Sequence, residues 1–201
     1  MNTTVRTTVR TTIRPKSFAH VVYRTYRFAQ MLDWYVKVFG GRIQYESPVI
    51  AFVTYDEEHH RVALLNLGIV VGESDARSPR GQPGMDHVAY GYRSLPELLD
   101  KYLELKAQGV MPYWCIHHGI TVSLYYADPD GNQREFQADS YTSNDDANAF
   151  MHGPNFEINP IGVEFDPEEM LARLRAGESE ATLLERTVQL PVSPIRGSMM
   201  G

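Results

Sequence analysis

The chain is almost without cysteine: Cys115 stands alone among 201 residues. One thiol cannot form an internal disulfide or a cysteine-built zinc site, and such usage suits a reducing, cytoplasmic setting. Long apolar runs are missing as well. No stretch approaches the ~18–20 uninterrupted apolar residues of a membrane-spanning helix, which excludes a helical membrane protein. The first 17 residues lack an apolar h-region, so no secretory signal is expected there. Basic charge is in deficit: 19 Lys and Arg against 25 Asp and Glu give a formal net charge of -6. Without a basic block, nucleic acid is not an expected partner.

What is present describes a globular chain. Hydrophobic residues make up 43% and charged residues 22%, enough for one domain or for two small modules sharing a core. The acidity is segregated. Residues 1–140 hold 15 acidic and 15 basic side chains, whereas residues 141–201 hold 10 and 4 and so carry the whole excess. A composition break falls at 139–148, where Ser140–Asp146 reads as a loop. Residues 3–14 repeat Thr-Thr-Val/Ile-Arg three times before Pro15, and we read residues 1–16 as a flexible arm.

An internal repeat organises the middle. His20-Val21-Val22-Tyr23 returns 67 residues later as His87-Val88-Ala89-Tyr90, and Leu32-Asp33-Trp34-Tyr35 returns at the same offset as Leu99-Asp100-Lys101-Tyr102. Two matches at one offset indicate two copies of a module, at about 17–70 and 84–140 within a domain spanning 17–140. Each copy opens with a short strand (18–23; 87–92) and continues into a helix with an apolar stripe. Ser94 is the expected N-cap of the second helix, with Pro96 in its first turn; Gly40-Gly41 and Gly109 are stop signals. Three β-rich runs follow in each copy: 43–46, 50–55 and 61–67, then 110–116, 121–126 and 133–138. Asp128-Pro129-Asp130-Gly131 is a turn between the last two. The fold class is α+β: two tandem βαβββ modules forming a curled mixed sheet around a metal site, followed by a C-terminal helical tail. The acidic extension, 141–201, is predicted to hold one helix, capped by Asp166 with Pro167 at its start and ended by Gly177. From Val188 onward, Pro191, Pro194 and Gly197 suggest a loose end. The stretch 68–84 reads as a long excursion able to cover a site.

Three side chains stand at matching or complementary places. His20 and His87 share one position in the first strand of each copy, and Glu135 lies in the last strand of the second. Strand side chains alternate between faces, so His20 and Val22 face the concavity while Val21 and Tyr23 face the helices. Glu135 joins the concave face if Phe136 packs on the helices. Two imidazoles and one carboxylate leave coordination positions open, the ligand set of non-haem Fe(II) oxygenases. Phe52, Tyr113, Trp114 and Ile116 read equally as core or as an aromatic pocket; Trp34 and Tyr35 read as core, and His152 as surface.

At these residues the chain resembles the vicinal oxygen chelate superfamily and, within it, the type I extradiol ring-cleavage dioxygenases of the short, one-domain kind. The resemblance covers about residues 18–138. Its most specific motif is His118, five residues, Leu124-Tyr125, two residues, Asp128-Pro129-Asp130-Gly131, three residues, Glu135. It implies His20, His87 and Glu135 as ligands of Fe(II), with Mn(II) accepting the same set, Tyr125 as a catalytic group and His118 as a substrate contact. Glu58-His59-His60-Arg61-Val62-Ala63 resembles the family's paired-histidine strand and implies His60 as the acid–base residue. The partners so implied are a small catechol-type diol and O2, and a homo-oligomer is expected. The same scaffold serves metal-dependent isomerases and thiol transferases resembling glyoxalase or fosfomycin-resistance proteins, and metal-free drug-binding proteins. Tyr125 and the His59-His60 pair argue against the first; the cost of burying His and Glu without a metal argues against the second.

Overall fold

The computed structural model describes residues 15–76 and 85–196. Most of the arm, residues 77–84 of the excursion, and Gly197 lie outside the described residues. The first half comprises β1 (Val21–Thr25), α1 (Phe28–Phe39), β2 (Arg42–Glu46), β3 (Ile50–Thr54) and β4 (Val62–Asn66), followed by the short helix α2 (Leu67–Val71). The second half repeats that order with β5 (His87–Tyr92), α3 (Leu95–Ala107), β6 (Trp114–His117), β7 (Thr121–Ala127) and β8 (Gln133–Asp139). The strands are arranged β1-β4-β3-β2 and β5-β8-β7-β6. In each half the first strand runs parallel to the last and the other pairs are antiparallel. This is the βαβββ order that the repeat predicts. Hydrogen bonding among the described residues resolves the expected curled sheet into two sheets, one per half.

The helices begin and end where their residues dictate. Ser94 has extended backbone and its hydroxyl accepts the Glu97 N–H at 3.2 Å, capping α3. Gly40 ends α1 with φ +60°, a left-handed conformation open to glycine without a Cβ clash. The apolar stripes then meet: Met31, Tyr35 and Val38 of α1 and Leu95, Leu98, Leu99 and Leu105 of α3 are fully buried in one core with Leu64, Leu124 and Phe136. Each large side chain so buried stabilises the fold by about 1.5–3 kcal/mol.

A polar latch crosses the core. Arg134 donates to Asp128 Oδ2 at 2.6 Å and to the Tyr35 hydroxyl at 2.8 Å, and Tyr35 donates to Asp128 at 3.3 Å. The guanidinium carbon lies 4.5 Å from the Tyr23 ring centroid, a cation–π contact. Arg134 is 1% exposed; such burial is tolerable only because the charge is paired and its donors are used.

Two strands start later than the sequence suggests. Residues 18–20 precede β1 because the carbonyls of Phe18 and Ala19 accept the Arg61 guanidinium (2.6 and 2.9 Å). Residues 110–113 precede β6 because Val110 N–H returns to the Leu105 carbonyl, capping α3, and Pro112 has no N–H to give.

The tail departs further. Besides the expected α6 (Pro167–Arg175), whose cap Asp166 accepts the Glu168 N–H at 2.8 Å, it forms α4 (Asn144–Met151), α5 (Pro154–Ile158) and α7 (Glu180–Leu183). The polar run read as a loop is in fact the cap and first turn of α4: Ser143 accepts the Asp146 N–H, with Asp145 and Asp146 at the helix start. A short strand, β9 (Val163–Glu164), pairs with β6 and extends the second sheet. The end is not loose through Arg196, since Ser193 is buried, takes the Trp114 indole N–H at 3.1 Å and donates to Glu164 at 2.7 Å. No helix among the described residues is long and apolar enough to cross a membrane.

Candidate active site

Register places the second-half residues on one face. Glu135 is opposite Ala89 on β5 and opposite Tyr125 on β7. His87, two residues before Ala89, shares its side of the sheet. Phe136 points the other way, into the core, so alternation alone delivers Glu135 to the open face. His87 Nε2 lies 3.1 Å from Glu135 Oε2, and His87 Nδ1 lies 2.7 Å from Asp86. His118 follows β6 and directs Nε2 at the Tyr125 hydroxyl (3.2 Å), with Glu135 Oε1 at 3.8 Å. Trp114 packs on Tyr125 with ring centroids 4.7 Å apart.

The electrostatics follow from burial and pairing. Burial alone would raise the Glu135 pKa, but hydrogen bonds to His87 and Ser123 outweigh it and hold the carboxyl below its ordinary range. His87 is raised to about 9, chiefly by its hydrogen bond to Glu135 and secondarily by Asp86. Burial keeps His118 neutral by lowering its pKa, and burial next to the Glu135 charge raises Tyr125. Sequence reasoning missed Asp86 and Ser123, although the Asp beside His87 was visible.

The first-half histidines form a separate cluster. The His20 and His60 rings stand 4.4 Å apart, His60 stacks on Phe52 at 4.5 Å, and His59 Nδ1 approaches His60 Nδ1 at 2.6 Å. Burial and the neighbouring His20 and His59 lower the His60 pKa. Thus His87, Glu135, His118 and Tyr125 are brought together, and His20 lies with His60.

Two observations fit a divalent metal. The His87 imidazole and the buried Glu135 carboxylate converge, held by a proton that a cation would displace. Asp86 takes the second nitrogen of His87, as the outer carboxylate of a metal-ligating histidine does. Among the described residues, no three His, Cys, Asp or Glu side chains gather as a ready-made site.

A cavity of about 580 Å³ opens over this face. Tyr125, His118 and Glu135 form its floor, and Asn148 and Met151 of α4 with Phe156 of α5 form the opposite wall.

Comparison with known proteins gives the family. Residues 17–136 match the family model of the Glyoxalase/Bleomycin resistance protein/Dioxygenase superfamily. Biphenyl-2,3-diol 1,2-dioxygenase 2 of Rhodococcus globerulus is 46% identical over 182 residues, covering 87% of this chain and 93% of that protein. Biphenyl-2,3-diol 1,2-dioxygenase 3 of the same organism is 38% identical over 177 residues, covering 88% and 92%. A glyoxylase/bleomycin resistance protein/dioxygenase domain from Frankia sp. EAN1pec has the same fold, with a TM-score of 0.52 at 13% identity over 65% of this chain and 96% of its own. The chain belongs to the Glyoxalase/Bleomycin resistance protein/Dioxygenase superfamily.

Proposed function

We propose that this chain, an extradiol dioxygenase by its kinship with the two Rhodococcus enzymes, opens the ring of a catechol-type diol at the cavity lined by Glu135, His118 and Tyr125, with His87 bonded to Glu135. The observation that carries this reading is 46% identity along most of the chain, joined to a His87–Glu135 pair whose carboxylate lines a cavity. The enzyme is metal-dependent. Fe(II) is the metal we assign, with Mn(II) the competitor, held by His87 and Glu135; His20, the third ligand that the resemblance implies, stands beside His60 in this structure. When bound, Fe(II) supplies open positions for the diol and O2 and a path for charge between them.

The protein's own groups do the rest. Tyr125, kept protonated by its raised pKa, hydrogen-bonds a diol oxygen, and His118 closes that side of the cavity. His60, neutral at pH 7 because burial and its histidine neighbours lower its pKa, receives and returns a proton during ring opening. Met151 and Phe156 keep water from the far side of the cavity and suit an apolar ring substituent, which favours a bicyclic diol such as 2,3-dihydroxybiphenyl. A cytoplasmic homo-oligomer completes the reading: Val22 and Tyr45 of the first sheet are each 52% exposed, and a second copy would cover them.

Anaerobic loading with Fe(II), then 2,3-dihydroxybiphenyl or catechol, then air, tests the proposal. O2 uptake matched mole for mole by a yellow product is expected. Tight Fe(II) binding without uptake across a catechol panel would overturn it.

A further inference from the structure

The fold gives the two ring nitrogens of His118 different partners. Nδ1 faces the main-chain carbonyl of Ile161; a carbonyl only accepts, so Nδ1 carries the proton. In the neutral ring Nε2 then has a free lone pair, and it faces the Tyr125 hydroxyl at 3.2 Å, a hydroxyl that Glu135 also meets.

Two buried polar side chains of the tail put that carbonyl in place, and neither is among the residues lining the cavity. Asn159 is 0% exposed and uses both ends of its amide. Its Oδ1 accepts the N–H groups of Ile161 (3.1 Å) and Gly162 (2.7 Å), and its Nδ2 donates to the carbonyls of Gly162 (2.9 Å) and Gln189 (2.7 Å). Arg186 donates to the carbonyls of Asn159 (2.9 Å), Asn155 (3.1 Å) and His118 itself (3.0 Å). One guanidinium thereby ties the loop 159–162 to the residue it faces. Gly162, at φ +130°, seats the loop on β6; a Cβ there would stand 2.6 Å from the His117 carbonyl. Burying this much polar surface is costly unless it is paired; Asn159 uses both ends of its amide and Arg186 both terminal nitrogens, leaving the buried Arg186 Nε unpartnered.

The tail also follows the dioxygenases. The family model ends at residue 136, whereas a 182-residue match cannot fit within residues 1–140 and takes in part of the tail.

We propose that Asn159 and Arg186 are positioning residues for the ring-cleavage reaction, holding His118 through the Ile161 carbonyl as the Nδ1–H tautomer so that Nε2 stays an acceptor toward Tyr125. This rests on reading the cavity as the diol site.

The test is long-range proton–nitrogen NMR on the full-length chain labelled with 15N-histidine, using His118→Gln to assign the His118 signals. A protonated Nδ1 and an unprotonated Nε2 are expected. Asn159→Ala and Arg186→Lys should move His118 toward the Nε2–H form and lower kcat by about tenfold or more, since an Nε2–H would turn the acceptor that faces Tyr125 into a donor. KM and metal content should change less than about twofold. Glu178→Gln, at the exposed Arg173–Glu178 pair of the tail, should change neither tautomer nor kcat. If Asn159→Ala does not fold, the wild-type spectrum and Arg186→Lys still decide. A wild-type His118 in the Nε2–H form, or folded variants with an unchanged tautomer, would overturn the clamp. The expected tautomer in a chain that cleaves no diol would support the clamp while overturning the dioxygenase reading.

Discussion

The two halves share a topology and a histidine just before or at the start of the first strand, yet the surroundings of that histidine differ. His20 is exposed and meets the ring of His60. His87 is held between Asp86 and Glu135, and Glu135 lines a cavity that the tail helps to form. Duplication therefore supplied positions, and the second copy added two carboxylates, a Tyr125–His118 pair and the start of a tail whose residues 143–161 reach the same site. In our reading, the first half brings the proton carrier and the second half the metal pair.

Substitutions can break that comparison in order of severity. Glu135→Ala should remove the metal almost entirely, because it takes away the only buried carboxylate among our proposed ligands; metal analysis after dialysis checks this, and full occupancy would end the assignment. His60→Ala should retain the metal and the diol yet lower kcat by about 10²–10⁴-fold, the usual worth of a positioned acid–base group. Stopped-flow turnover with a parallel metal assay separates the two effects.

Arg134→Ala tests whether the halves depend on each other. It strands Asp128 in the core and should cost about 3–5 kcal/mol, read as a lower urea midpoint. Arg173→Ala, in an exposed pair of similar length (2.6 Å), should leave the midpoint where it is.

The smallest effect concerns the tail and pH. Burial, with Arg186 nearby, lowers His117 to about 4. An unfolded histidine titrates near 6.5, so the unfolded chain binds more protons between those values. The associated stability is fully present above pH 6.5 and is lost as pH falls through about 4, a difference of roughly 3 kcal/mol. Denaturation from pH 7 to 4 should show a flatter slope in His117→Gln than in the wild type.

Local chemistry was legible in the sequence; long-range polar contacts were not. Ser94 and Asp166 cap the helices they announce, and the Asp128–Gly131 turn forms with Gly131 N–H on the Asp128 carbonyl at 2.8 Å. Alternation placed Glu135 and Phe136 on opposite faces because a strand has a period of two. The tail defeated the same reasoning. Ser143-Asn144-Asp145-Asp146 is a helix cap in its own right, misread because polar runs also make loops. Asn159 and Arg186 act through main-chain carbonyls, and every residue type offers a carbonyl. A contact such as His118 with Ile161, 43 residues apart, leaves no trace in spacing or composition.

Asp128 has a double duty. Its side chain accepts the N–H groups of Asp130 and Asn132 (3.1 and 2.9 Å), closing its own turn, and also receives Tyr35 from the other half. Arg134 reaches back to it from one side of β8, while Glu135 faces the cavity from the other. The interval from Asp128 to Glu135 is therefore anchored at both ends and intolerant of length change. One inserted residue would exchange the two faces, pointing the carboxylate into the hydrocarbon interior and the guanidinium into the cavity, so that the joint between the halves and the catalytic floor would fail together.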